Sequence, residues 1–283
     1  MFENIKEKLS QNALLIENAL DDYYNYSDND YTLLIEAQRY GLLGGGKRIR
    51  AFLVLEFCRL FSGEIKQAIP YACAIEMIHA SSLIHDDMPC MDNDDVRRGK
   101  PSTHKAFGET MALIAGDAML TAAFEAAIKN PCLDDVTNAK AILILAESTG
   151  NRGMLAGQAI DTIAGKNKLD FETLVCLHKL KTGKLISASV KLGCIAAGIS
   201  STDEKYLAAV KYAEDIGLAF QIIDDILDYQ EGKRELNSFL SFMSLEEAIN
   251  YANNLTESGI KAISFYDDGA LTELALYLTK REY

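Results

Sequence analysis

The 283-residue chain has no tryptophan, and only four prolines, four histidines and six cysteines. Each scarcity excludes something. The prolines all fall between Pro70 and Pro131, so the residue that breaks helices is missing from the whole C-terminal half. The cysteines (Cys58, Cys73, Cys90, Cys132, Cys176, Cys194) are widely spaced with no C-x-x-C pair, and the histidines do not cluster. Neither a disulfide framework nor a zinc site is expected, and the thiols read as buried and free. No apolar run approaches the roughly 20 residues of a membrane span. The first residues, MFENIKEKLSQ, lack the basic and then apolar build of a signal peptide, so a cytoplasmic location is expected. Bases are the minority: the net charge of −13 opposes binding to nucleic acid or anionic lipid, and any anionic ligand must be held in a local basic pocket.

Hydrophobic residues make up 49% of the chain, enough for a large core, and no linker divides it; residues 1–283 are expected to form a single domain. Apolar spacing of three and four predicts an all-α fold. Ile5, Leu9, Ile16 and Leu20 mark one helix face, and further helices are expected at 31–40, 47–61, 71–87, 109–129, 135–149, 170–199, 203–229, 245–256 and 270–281. Pro70 suits the first turn of a helix, Asp134 and Asp203 suit N-terminal caps, and Gly63 and Gly150 suit chain reversals. Strand signals are almost absent.

Two acidic stretches echo each other: LIHDDMPCMD at 83–92 and QIIDDILD at 221–228. Asp224 and Asp228 are one helical turn apart among Ile222, Ile223, Ile226 and Leu227, so their carboxylates share a face of a helix that should be buried. Acids near a core need a partner. Carboxylates without attendant His or Cys favour a hard divalent cation such as Mg²⁺; an acidic face left to solvent is the alternative. Asp86, Asp87, Asp92, Asp94 and Asp95 are followed at once by Arg97, Arg98 and Lys100, and metal-bearing acids beside arginines make a site for a diphosphate, including a departing pyrophosphate. GLLGGGKRIR mimics a phosphate-binding P-loop, but Arg48 stands where a Ser or Thr is needed and the preceding LLIEAQRY reads as helix. Lys47 and Arg50 still suit a phosphate site at a helix start, with a solvated basic end as the alternative. His79 lies two helical turns before Asp86, which favours a ligand role over a core one. Gly183, inside a long helical pattern after Lys181 and Thr182, suggests a kink that frees backbone carbonyls.

Together GGGKRIR, SLIHDDMPCMDNDDVRRGKPSTH, AGDAML, KTGKLI and GLAFQIIDDILDY closely resemble the trans-prenyl diphosphate synthases, the polyprenyl synthetase family, in content and order. Within it the first motif, with Asp86, Asp87 and Asp92, looks most like the bacterial farnesyl and related geranylgeranyl enzymes. The resemblance implies a helical bundle around a deep central cavity, a homodimer, and condensation of isopentenyl diphosphate with allylic diphosphates. Carried over, Asp86, Asp92 and Asp224 would be direct ligands in a cluster of three Mg²⁺ ions, supported by Asp87, Asp225 and Asp228. Arg97 and Lys181 would grip the allylic diphosphate. Lys47, Arg50, His79 and Arg98 would hold that of isopentenyl diphosphate. Thr182, the carbonyl of Lys181 and Gln221 would face the allylic cation.

Two departures bear on the outcome. After DDILDYQ the family has a G-K-x-x-G-x-D loop and then K-S-T-Y, whereas EGKRELNSFLSFMSLEEA arrives about fourteen residues early without the second lysine. Either the connection is short or a mobile segment is omitted from the sequence; omission is preferred, since a working lid is where mobility belongs, and Lys233 is assigned no role. Ser81, five residues before Asp86, replaces the aromatic ring with which farnesyl enzymes end the chain-length pocket. Farnesyl diphosphate is the expected product, geranylgeranyl diphosphate the alternative, and a non-catalytic regulatory subunit of a prenyl synthase the reading from a different class. An HD-type phosphohydrolase, suggested by His85-Asp86, lacks histidine ligands, and a terpene cyclase has little use for a second diphosphate site.

Overall fold

A helix buried on nearly every side belongs at the centre of a domain, and α4 (Ile65–Asp86) is such a helix: Tyr71 to Ile78 are all buried in the computed structural model, which describes residues 2–25, 30–165 and 167–280. Around α4 pack α3 (Ile49–Leu60), α6 (Glu109–Ile128) and α10 (Lys184–Ala196), and α10 also carries α11 (Glu204–Gln230). Closing the bundle are α1 (Glu3–Tyr23), α2 (Thr32–Leu42), α5 (Thr103–Phe107), α7 (Asp135–Thr149), α8 (Met154–Ala164), α9 (Phe171–His178), α12 (Leu245–Ile263) and α13 (Ala270–Thr279). The fold is all-α, as the apolar spacing predicts. Among the described residues its only strands are a hairpin, β1 (Val96–Arg97) against β2 (Lys100–Pro101).

The expected stripe on α1 is real: Ile5, Leu9, Ile16 and Leu20 are all buried, each worth about 1.5–3 kcal/mol of apolar burial. Asp134 and Asp203 cap α7 and α11 through their side chains, each cap worth about 1 kcal/mol. Several boundaries differ from expectation. α4 starts at Ile65, so Pro70 lies inside it; the reciprocal capping box of Glu64 and Gln67 starts the helix earlier than the proline suggests. The single helix expected at 170–199 is interrupted by a π-turn, Lys179–Gly183, between α9 and α10. α5, α8 and the hairpin were not foreseen. α6 is long and apolar enough, by length and composition, to cross a membrane, contrary to the sequence expectation; here its Ala112, Ala115, Met119 and Ala123 pack into the core beside α4. All six cysteines are free, but Cys90 and Cys176 are exposed rather than buried.

The connection after α11 closes without any insertion. The chain turns at Gly232, and a 3-10 turn (Phe239–Ser241) seats Phe239, fully buried, among Leu174, Ile222 and Ala248 before Ser244 and Glu247 cap α12.

Candidate active site

The first acidic motif sits at the C-terminal end of α4, where the chain folds back so that Asp92 N–H donates to the Asp86 carbonyl at 2.9 Å. Asp86 is half-buried, and burial raises its pKa; Lys181 opposes that shift, while Asp92 adds to it. Asp87 is buried, its side chain 3% exposed, and Arg97 grips its Oδ1 through both Nε, at 2.9 Å, and Nη2. Arg97 also reaches Asp94 at 3.2 Å. Asp87 is therefore committed to orienting Arg97.

The hairpin places the two arginines. Its two-residue turn requires positive φ at both Arg98 (52°) and Gly99 (75°), which a primed hairpin turn demands. Arg97, in β1, thereby lies back over Asp87, while Arg98 donates from Nη1 to the Gly45 carbonyl at 2.6 Å. Gly44, Gly45 and Gly46 all have positive φ, so glycine is what lets this loop wrap toward Arg98. Lys100 braces the same loop by donating to the carbonyls of Tyr40 (2.6 Å) and Leu43 (3.2 Å).

Arg50, His79 and Arg98 make up a basic pocket. Burial lowers the pKa of Arg50 against the pull of Glu76, and Arg98 lowers it further. His79 is driven well below its usual value, first by burial and then by Arg50, Arg98, Arg48 and Arg97. So much unbalanced positive charge around a half-buried imidazole suits a polyanion. Arg48, which excluded the P-loop, is structural: its guanidinium bonds Glu76 and Glu17, each at 3.3 Å, and the Leu42 carbonyl. Lys47 is exposed, its Nζ 4.9 Å from the centre of the Tyr277 ring.

Opposite Asp86 stands the π-turn. A π-turn widens the helix by one residue and loosens its hydrogen bonds, as Gly183 suggested. It packs against α8 at Gly157, where any Cβ would lie 2.3 Å from the Lys181 nitrogen. Lys181 Nζ binds Asp161 Oδ2 at 2.6 Å. Thr182 Oγ1 donates to Gln221 Oε1 at 3.1 Å, and Gln221 Nε2 reaches Asp224 Oδ2 at 3.4 Å. The turn thus links the two motifs: Lys181 faces Asp86, and Thr182 connects through Gln221 to Asp224.

In the second motif, Asp225 accepts the Phe239 N–H at 2.7 Å, yet burial still pushes its pKa up to about 6. Asp228 accepts from Lys233 Nζ at 2.6 Å, giving that lysine a contact the sequence did not assign. Among the described residues no three of His, Cys, Asp and Glu lie close enough together to hold a metal ion unaided. An all-carboxylate donor set split between two walls fits hard cations that draw their remaining ligands from a bound diphosphate. Between the end of α4 and the π-turn, a cavity of about 1050 Å³, counted out into the solvent at its mouth, runs from Asp86, Arg50, His79 and Lys181 to Ser81, Ser82, Leu120 and Met154.

A family model described as polyprenyl synthetase matches residues 31–239. The chain belongs to the polyprenyl synthetase family. Among its curated relatives, geranylgeranyl pyrophosphate synthase 7 of Arabidopsis thaliana is 40% identical, the match covering 87% of this chain and 76% of the relative. The geranylgeranyl diphosphate synthase of Cyanophora paradoxa is 41% identical over 87% of this chain and 86% of its own. Among solved structures, an FPP/GFPP synthase from Zymomonas mobilis superposes with a TM-score of 0.91 at 39% identity, covering 99% of this chain and all of the other. The isoprenoid synthase fold and trans-prenyltransferase chemistry follow for this polyprenyl synthetase.

Three participants in this polyprenyl synthetase's site escaped the sequence reading. Asp161 and Gln158 lie on α8, which was not foreseen because Gly150, Gly153, Gly157 and Gly165 obscure its helical pattern. The signal available was Gln158 and Asp161 three apart, one helical turn, in GQAID. His178, to which the sequence assigned no role, lies 3.2 Å from Gln221 Oε1.

Proposed function

We propose that this polyprenyl synthetase condenses isopentenyl diphosphate with allylic diphosphates and carries the chain to twenty carbons, as geranylgeranyl diphosphate. The observation that carries this is the cavity beneath Asp86, whose wall bears Ser81 and Ser82 where an aromatic ring would close it. The expected fifteen-carbon product gives way to its alternative because the small serine side chains leave depth, and because the curated relatives described above are named geranylgeranyl synthases.

Lys181 and Arg97 hold the allylic diphosphate beside Asp86, while Arg50, His79, Arg98 and Lys47 hold the second diphosphate. Lys47 must swing from Tyr277 to do so. Asp86, Asp92 and Asp224, with Asp225 and Asp228, would hold Mg²⁺, which when bound neutralises diphosphate oxygens and eases pyrophosphate departure. The Thr182 hydroxyl and the π-turn carbonyls present oxygen dipoles to the allylic carbon as positive charge develops there, and Gln221 fixes that hydroxyl. The apolar cavity excludes water from the cation, and the isopentenyl double bond attacks it to form the new carbon–carbon bond and a tertiary cation. A proton from the carbon beside that cation leaves with pyrophosphate to restore a double bond, no side chain standing as an obvious base. A homodimer in the cytoplasm is part of the same proposal.

The test is incubation of the purified chain with Mg²⁺, isopentenyl diphosphate and, in turn, dimethylallyl, geranyl and farnesyl diphosphate, with products sized by mass spectrometry. Twenty-carbon product from all three primers supports the reading, and Ser81→Phe shortens it to fifteen. Product that stops at fifteen carbons in the wild type returns the assignment to farnesyl diphosphate, and no condensation at all favours a regulatory subunit.

A further inference from the structure

Three neighbours set the orientation of the Gln221 amide. Its Nε2 lies 3.4 Å from Asp224 Oδ2, its Oε1 accepts from Thr182 Oγ1 at 3.1 Å, and the same Oε1 is 3.2 Å from His178 Nδ1. A carboxylate can only accept, so the NH₂ end belongs on Asp224 and Oε1 belongs between Thr182 and His178. His178 must then donate from Nδ1, which leaves Nε2 bare, and that atom is buried without a partner. Burial lowers the pKa of His178, which favours the neutral ring, and the contact with Oε1 selects the Nδ1–H tautomer. The ring also stacks on Phe239, centroids 5.2 Å apart and planes 23° apart. Phe239 is the residue whose N–H holds Asp225. One imidazole therefore touches both the amide beside Asp224 and the anchor that pins Asp225.

We propose that His178 is a positioning residue: its Nδ1–H fixes the Gln221 amide against Asp224, while its stack on Phe239 links that amide to the seat of the 231–244 connection. The prenyl-transfer reading enters only through the role of Gln221. A histidine is suited to both tasks, since phenylalanine keeps a flat ring but no donor, and asparagine keeps a donor near Nδ1 but no ring.

Steady-state kinetics with Mg²⁺ and both diphosphates, together with the unfolding midpoint of each variant, separate these tasks. His178→Phe is expected to lower kcat about tenfold with KM for isopentenyl diphosphate within about twofold, and His178→Asn to recover kcat to within about threefold of wild type. The side-chain NH₂ signal of Gln221 in glutamine-¹⁵N-labelled protein, assigned by its loss in Gln221→Glu, shifts in His178→Phe and returns in His178→Asn without any turnover. A His178→Phe protein with the wild-type kcat and Gln221 signal overturns the proposal. So does a His178→Asn protein no better than His178→Phe. A wild-type chain without turnover overturns the prenyl-transfer reading instead, and the amide signal then decides the role of His178 alone.

Discussion

The C-terminal ends of α4 and α11 each carry an Asp-Asp pair followed by a third aspartate, Asp92 or Asp228, but stabilise these acids differently. At the end of α4, Asp87 is matched by a guanidinium that its own hairpin delivers, with the basic pocket of Arg50, His79 and Arg98 beside it. At the end of α11, Asp225 is bonded among the described residues by the Phe239 N–H and the Ser238 side chain, with no cation, and Asp228 pairs with the exposed Lys233. A full opposite charge compensates a buried carboxylate better than the neutral dipoles of the Phe239 amide and the Ser238 hydroxyl, and burial still raises the pKa of Asp225 to about 6. The first wall thus mixes acids with bonded and neighbouring bases, whereas the second is acidic with a single bonded lysine among the described residues.

The most severe way to break this comparison is to remove one acid from each wall. Asp86→Ala and Asp224→Ala should each reduce kcat/KM on the order of a thousandfold, and chelation of Mg²⁺ should abolish turnover reversibly in the wild type. Equal loss from both walls supports a site shared between them; loss from only one would place the chemistry on that wall.

Next in size, Arg97→Met leaves Asp87 buried without its cation. We expect a loss of about 2 kcal/mol in urea unfolding, below the cost for a fully buried pair because Arg97 is partly exposed, with recovery in Arg97→Met/Asp87→Asn. Additive losses in the double variant would show that the two residues are not coupled.

Asp225 gives a smaller, pH-dependent effect. Its pKa lies above the unfolded value of about 3.9, so the folded chain binds more protons between pH 4 and 6 and stability falls as pH rises through that window. Metal-free Asp225→Asn should flatten this decline by about 1–2 kcal/mol between those limits; an unchanged slope would mean that Asp225 ionises normally. Least affected is Lys233→Ala, which breaks an exposed pair and should leave the unfolding midpoint of the metal-free chain unchanged within error.

Helix content and both acidic motifs were legible because each is a local pattern: apolar residues every three to four positions, or acids one turn apart. α8 was illegible because glycines flank and interrupt it, and one of them, Gly157, serves close packing against the π-turn, a contact between segments distant in sequence. Pro70 misled because a capping box at Glu64 and Gln67 outweighed one missing N–H.

By itself the sequence determined the all-α class, the acids and bases of the two motifs and the kink at Gly183, since all of these depend on neighbours within a helical turn or two. Only the tertiary structure decided which acids are already engaged: Asp87 by Arg97, Asp161 by Lys181, Asp225 by Phe239 and Asp228 by Lys233. It also decided that His178 meets Gln221. The physical reason is that charge compensation and amide orientation depend on distances across packed helices, and most of those distances join residues with no periodic relation along the chain.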